Sequence, residues 1–66
     1  MAVARVTELT ASSTTGFQNA VDDGLARAAQ SLRGITGLEV MSQKAKVEDG
    51  AIAEYRVTIR VTFILD

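Results

Sequence analysis

The sequence predicts an α+β fold in which one helix packs on a three-stranded antiparallel sheet, with the elements in the order β-α-β-β. Apolar and polar residues alternate near both ends of the chain, which is typical of strands with one buried face. Between residues 15 and 33 the apolar spacing changes to three and four, which is typical of a helix. Asp49-Gly50 is the strongest short signal for a two-residue hairpin. The 66 residues allow one domain, residues 1–66.

The first strand is predicted from Val3 to Ala11, where β-branched residues are frequent. A run of Ser and Thr ending at Gly16 then interrupts the alternation. Hydroxyl oxygens accept hydrogen bonds from the free amides at the start of a helix. We therefore expect Ser13 or Thr14 to cap the helix.

The helix is predicted over residues 15–33. Its apolar stripe consists of Phe17, Val21, Leu25, Ala28 and Leu32. Gly24 interrupts the helix at a cost of about 1 kcal/mol against Ala, so it marks either close packing or a tolerated glycine. Asp23 precedes Arg27 by four residues, which favours a surface ion pair. Gly34 stands where a residue in the left-handed region would end the helix.

The second strand is predicted from Gly37 to Glu48, with a polar stretch at residues 42–46 that is either bulged or at an edge. The third runs from Tyr55 to Leu65, with an apolar residue at every second position. A right-handed crossover leaves space for the third strand between the other two, which gives the order 1-3-2. The predicted helix–sheet core contains Phe17, Val21, Leu25, Val57, Ile59, Val61 and Phe63.

The composition excludes several functions. The chain has no Cys and no His, so disulfides, the common zinc sites and Ser–His or Cys–His catalysis are all absent. We therefore expect a protein that is not an enzyme. A net charge of −1 gives no general attraction to nucleic acid or to an anionic membrane. No apolar run approaches the roughly 20 residues of a spanning helix, and the prediction is a cytoplasmic domain.

The chain is short enough that a monomer is expected to be marginally stable. A domain of this size buries only about 60% of the surface that its unfolded chain exposes. Small domains usually gain stability from disulfides, metals or oligomerisation. Since disulfides and zinc are excluded, oligomerisation remains. The predicted partner of the chain is itself.

The whole sequence resembles the dodecin family. The resemblance depends on the helix segment from Ala20 to Ala28, on Leu38-Glu39-Val40 after the helix, and on the ending Val61-Thr62-Phe63-Ile64-Leu65. Dodecins are β-α-β-β subunits that form hollow homododecamers and bind flavins (riboflavin or FMN) at subunit two-folds. The resemblance therefore implies a binding and storage protein with a small flat ligand.

Two positions depart from the flavin-binding members of that family. A tryptophan that stacks on the flavin ring is replaced by Gly37, and a glutamine that reads the ring edge is replaced by Arg56. Gly37 is either a glycine of a bulge or tight turn, or the result of a Trp→Gly substitution that opened the pocket. Arg56 either pairs with Glu39 or Glu54, or binds an anion such as phosphate. Both residues are the tentative ligand-binding residues, and tight flavin binding is not expected.

A second possible function is calcium binding, which has been described for dodecin-like proteins that lack the tryptophan. Calcium takes six to eight oxygen ligands, usually including several carboxylates. The only acidic doublets are Asp22-Asp23 and Glu48-Asp49. A calcium site would therefore combine residues of several subunits, and its ligands remain unknown. A third possibility is a purely structural assembly module.

Overall fold

The computed structural model describes residues 3–65 and has one helix and one sheet. The elements are β1 (Val3–Ser13), α1 (Phe17–Ser31), β2 (Ile35–Glu48) and β3 (Ala51–Leu65). The strands lie in the order β1-β3-β2, and both pairings are antiparallel. The predicted fold class and strand order are confirmed.

The third strand starts closer to the hairpin turn than predicted. Asp49 and Gly50 both have positive φ, 51° and 77°, as the two central residues of a type I′ turn require. β3 therefore begins at Ala51, directly after the turn, rather than at Tyr55. β2 is an edge strand, so the edge interpretation of residues 42–46 is confirmed. Its register shifts at Ile35/Gly37, Val40/Ser42 and Lys46/Val47 lie outside that stretch.

The predicted helix cap is wrong. The N-cap residue of α1 is Gly16, and no side chain caps the helix. Ser13 instead accepts a hydrogen bond from the Thr15 amide at 3.0 Å, because a local turn satisfies its hydroxyl before the helix starts. Gly34 has the predicted positive φ, 73°, but it does not end the helix: α1 ends at Ser31, and its C-cap residue is Leu32 in an extended conformation. The Gly34 carbonyl accepts the Ile64 amide at 3.0 Å. Over residues 3–65, no helix is long and apolar enough to cross a membrane.

The helix is rotated relative to the predicted stripe. Ala20, Gly24 and Ala28 are the buried residues of α1, whereas Leu25 is 37% exposed, so its predicted place in the core is wrong. Leu25 follows Gly24 and so lies about 100° around the helix from the buried line. The remaining core prediction fits: Val57, Ile59 and Val61 are buried, Phe17 and Val21 pack on them, and Phe63 is half-buried.

Gly24 explains why the small residues face the sheet. A Cβ at this position would lie 3.1 Å from the Ala11 Cβ and 3.1 Å from the Ile59 Cδ1. The helix backbone therefore sits closer to the sheet than a larger residue permits. The close-packing interpretation of Gly24 is confirmed.

The subunit leaves much apolar surface uncovered. Its 15-residue helix spans about 22 Å, whereas the 15 residues of β3 span about 50 Å. The radius of gyration is 13.6 Å, against about 11 Å for a compact domain of this length. The far end of the β2–β3 hairpin, residues 45–53, extends beyond the helix and is named the arm. Exposed large apolar residues are Val3, Val6, Leu25, Val40, Met41, Val47, Ile52 and Leu65.

Candidate functional site on the outer face of the sheet

One face of the sheet carries most of the charged and hydroxyl side chains. Val57, Ile59 and Val61 point towards α1, so the alternating positions of β3 point away from it. We name this second side the outer face. Its cross-strand rows are Val6–Thr62–Gly37, Glu8–Arg60–Glu39, Thr10–Thr58–Ser42 and Ser12–Arg56–Lys44. No helix or strand of the described residues covers it.

The central charged row places one arginine between two carboxylates. The Arg60 Nε donates to the Glu8 Oε1 at 3.0 Å, and both side chains are about half exposed. Glu39 lies opposite Arg60 on the other neighbouring strand. Exposed pairs of this kind contribute about 0–1 kcal/mol. This row therefore carries one more negative than positive charge and offers no excess positive charge to an anion.

The row nearest the arm has the opposite character. Arg56 of β3 lies directly opposite Lys44 of β2, and like charges in this position destabilise a sheet. The Arg56 Nε donates to the Glu54 Oε1 at 2.7 Å, so Glu54 and not Glu39 is its partner. This hydrogen bond lowers the pKa of Glu54 below its usual value. Within residues 3–65, Lys44 forms no ion pair, and the row keeps an excess of positive charge.

Gly37 is not required by the backbone or by packing within the subunit. Its φ is not in the left-handed region, and no atom of the described residues, its two chain neighbours aside, lies within 4 Å of the place where a Cβ would be. A register shift does precede it, between Ile35 and Gly37, but a side chain at this position would fit. The absence of a side chain therefore leaves open space on the outer face beside Thr62.

The two predicted ligand-binding residues share a face but do not meet within one subunit. Gly37 lies opposite Thr62 and Lys44 lies opposite Arg56. Thr62 and Arg56 are six residues apart on β3, which corresponds to about 20 Å. Gly37 and Arg56 can therefore line one pocket only if two different copies of the chain supply them.

The outer face of one subunit does not fit a stacked flavin. The three aromatic residues of the chain are Phe17, Tyr55 and Phe63. Phe17 and Tyr55 form an edge-to-face pair with ring centroids 5.0 Å apart, and Phe63 shares the helix-facing side of β3 with Val61. No ring of the described residues is therefore available on the outer face, and Arg56 offers only donors where an amide would offer both donor and acceptor.

The described residues of one subunit also hold no ready metal site. No group of three or more acidic or other ligating side chains lies close enough to bind an ion within residues 3–65. A calcium site would have to combine residues of more than one copy. Lys44 is the residue that sequence reasoning missed, because the register shift between Lys46 and Val47 decides which residue lies opposite Arg56, and the sequence pattern does not fix its position.

The fold and this face define a class of small β-α-β-β subunits with an uncovered polar sheet face. The sequence profile of the dodecin family matches residues 3–66. The chain belongs to the dodecin family. No curated protein sequence matches it significantly.

Solved structures support the same assignment. Dodecin from Streptomyces coelicolor is 34% identical, with a TM-score of 0.94 over 98% of this chain and 93% of that one. A mutant of Thermus thermophilus dodecin is 30% identical, with a TM-score of 0.95 over 100% and 98% of the two chains. The calcium dodecin of Mycobacterium tuberculosis, a calcium-chelating antigen, is 28% identical, with a TM-score of 0.83 over 97% and 91%.

Proposed function

We propose that residues 1–66 form one domain of a hollow homododecamer that binds and stores a small ligand carrying an anionic group. The assembly is supported by membership of the dodecin family and by the large apolar side chains, eight of them within residues 3–65, that one subunit exposes. Closed symmetric assemblies are the usual way in which such surfaces are buried. A cytoplasmic location and a non-enzymatic role belong to the same proposal.

The row Ser12–Arg56–Lys44 is the observation that carries the anionic specificity. Two cations lie opposite each other, and one carboxylate, Glu54, balances only one of them. A phosphate between them would accept charge-assisted hydrogen bonds from both side chains and remove their repulsion. Ser12 adds a hydroxyl donor in the same row. This arrangement favours a phosphate-bearing ligand over a neutral one of similar shape.

The open space at Gly37 supports a pocket but not tight flavin binding. Stacking of an aromatic base on a protein ring contributes about 1–3 kcal/mol, and glycine supplies none of it. We expect riboflavin to bind weakly. FMN has the same ring system and adds a phosphate, so FMN is expected to bind more tightly than riboflavin.

Two measurements test the proposal. Native mass spectrometry of the purified protein is expected to show twelve copies, and a monomer or dimer at micromolar concentration would contradict the assembly. Fluorescence quenching then compares FMN with riboflavin, with inorganic phosphate as competitor. Lys44→Gln should reduce the preference for FMN, whereas the matched variant Lys46→Gln should leave it unchanged. Equal affinities for FMN and riboflavin would contradict the anionic specificity.

Calcium is a second candidate ligand because the chain resembles the Mycobacterium tuberculosis calcium dodecin over nearly its full length. Carboxylates from several copies would have to supply the ligands, since one subunit has no cluster in its described residues. Isothermal titration with calcium, before and after treatment with a chelator, separates this function from phosphate binding. An absence of binding in both titrations would favour a purely structural assembly.

A further inference from the structure

A cleft between β1 and the C-terminal half of α1 takes no part in the proposed ligand site. It has a volume of about 370 Å³. Its apolar lining is Leu9, Ala28 and Leu32, and its polar rim includes Thr7, Arg27 and Ser31. β1 is also an edge strand, so one side of its backbone has no partner strand within the subunit. Such an edge accepts a further segment of chain more readily than a closed surface does.

Arg27 gives the rim of this cleft a positive charge without a carboxylate partner. Its spacing from Asp23 predicts an ion pair, but the described residues show none between them. The Arg27 Nη1 instead donates to the Ser31 Oγ at 3.4 Å and to the Gln30 Oε1 at 3.5 Å. Both distances are long, so the guanidinium keeps donors free for a carboxylate. The cleft therefore fits a segment that is apolar and acidic.

The arm carries that chemistry. Val47 and Ile52 lie directly opposite each other, and they are 62% and 49% exposed. The turn that follows Val47 begins with Glu48 and Asp49, both exposed. Among the described residues, Glu48 forms an ion pair only with Lys46, at 3.3 Å on the surface. The tip of the arm thus presents an apolar pair next to two carboxylates.

The arm of a subunit cannot reach the cleft of the same subunit. Leu9 in the cleft lies opposite Ile59, and Ile52 of the arm is seven residues from Ile59 along β3. This separation corresponds to about 23 Å along a continuous strand. Any arm that fills the cleft must therefore belong to a second copy of the chain.

We infer that the arm of one copy docks in the β1–α1 cleft of the next copy. The carboxylates of the arm then meet Arg27, and Val47 and Ile52 cover Leu9 and Leu32. The two surfaces differ, so the contact is head-to-tail and closes into a ring when the rotation between copies permits. This inference rests on the proposed assembly and adds the contact that builds it.

Cysteine cross-linking tests the contact directly because the chain has no Cys. The variant Ser31→Cys/Ile52→Cys places one thiol in the cleft and one on the arm. These positions are too far apart to form a disulfide within a subunit, since the Cα atoms of a disulfide lie within about 7 Å. Oxidation is therefore expected to produce a ladder of covalent multimers. The control Asp22→Cys/Ile52→Cys has its helix thiol outside the cleft and should remain monomeric on a denaturing gel.

A charge exchange tests the same contact without cysteine. Arg27→Glu and Glu48→Lys should each raise the subunit concentration needed for assembly roughly tenfold. Combining them should restore most of the loss because the opposite charges are again paired. Arg33→Glu makes the same charge change outside the cleft lining and should have no comparable effect. Failure of the double variant to recover would overturn the contact.

The outcomes separate this inference from the proposed function. A wild-type assembly in native mass spectrometry, combined with no ladder from the cleft–arm pair, would overturn the docking and leave the assembly intact. A monomeric wild type would overturn both. If the ladder is absent and octanoate binds the assembled protein in a way that Arg27→Gln abolishes, the cleft is a site for a small carboxylate and the docking is overturned.

Discussion

Gly24 and Gly37 show how differently the two faces of the sheet are used. A side chain at Gly24 would meet Ala11 and Ile59 at 3.1 Å, whereas a side chain at Gly37 would meet nothing within 4 Å. The first glycine is dictated by the fold of the subunit. The second is not, and we propose that its open space serves a ligand or another copy of the chain. Packing within the subunit therefore requires the glycine on the helix-facing side and leaves the residue on the outer face free to vary.

The side chains around the two glycines follow the same division. The helix-facing side buries Val57, Ile59 and Val61, and no polar side chain between residues 3 and 65 is buried. The outer face instead carries Arg56, Arg60 and their carboxylate partners, all open to solvent. Exposed pairs contribute little to stability. Substitutions on the helix-facing side should therefore change stability, and substitutions on the outer face should change binding.

Ile59→Ala is expected to have the largest effect on stability. The side chain is fully buried beneath α1, and its truncation should lower the free energy of unfolding by about 2–5 kcal/mol. Thr58→Ala on the outer face removes only an exposed hydroxyl contact with Thr10 at 3.3 Å and should cost less than about 1 kcal/mol. Urea denaturation at a fixed subunit concentration measures both. Similar losses would show that the outer face also contributes to the core of the assembly.

Valine at each glycine compares the two sites with one substitution. Gly24→Val should destabilise the subunit by about 1–3 kcal/mol or prevent folding, because its side chain would press on the Ala11 Cβ and on the Cδ1 atoms of Ile59 and Leu9. Gly37→Val should change the unfolding free energy of the subunit by no more than about 0.5 kcal/mol. Circular dichroism during denaturation measures both. A large loss from Gly37→Val would mean that another copy packs against this position.

Gly37→Trp should change binding rather than stability. A restored indole is expected to strengthen riboflavin binding by about 1–3 kcal/mol per stacked ring, roughly 5–150-fold. Adding Arg56→Gln should strengthen it further because the amide pairs with both a donor and an acceptor. The readout is quenching of riboflavin fluorescence. If the double variant assembles but binds no better than wild type, Gly37 and Arg56 are not pocket residues.

The smallest expected effect concerns the Glu54–Arg56 pair. The hydrogen bond from Arg56 lowers the pKa of Glu54 from its ordinary 4.5. A lowered carboxyl pKa stabilises the folded state above pH 4.5, and this contribution is lost as the pH falls through the pKa of the folded protein. Carboxyl NMR titration should show Glu54 ionising below 4.5 in the wild type and near that value in Arg56→Gln. An unchanged titration would show that the pair does not persist in solution.

The pattern of the sequence predicted the helix and the strands but missed two of the residues that the helix buries. Phe17, Val21 and Leu25 are the large apolar residues of the helix, so hydrophobicity alone favoured a stripe centred on them. The structure buries Ala28 of the predicted stripe together with Ala20 and Gly24, which lie outside it, and leaves Leu25 exposed. Small residues allow the helix backbone to approach the sheet, and the gain from close packing exceeds the gain from burying one more leucine. The spacing of apolar residues along the sequence does not predict how closely the helix backbone approaches the sheet.

The sequence by itself determined the β-α-β-β order, the hairpin at Asp49-Gly50 and the family, because local spacing and turn chemistry are encoded by neighbouring residues. It also singled out Gly37 and Arg56 as tentative ligand-binding residues, because both depart from the family pattern. The tertiary structure decided which residues lie opposite each other: Lys44 meets Arg56, and Gly37 lies about 20 Å from it along the sheet. Each bulge in β2 shifts the register of everything beyond it, so the pairing of β2 with β3 depends on where the three shifts fall, which the sequence pattern does not specify.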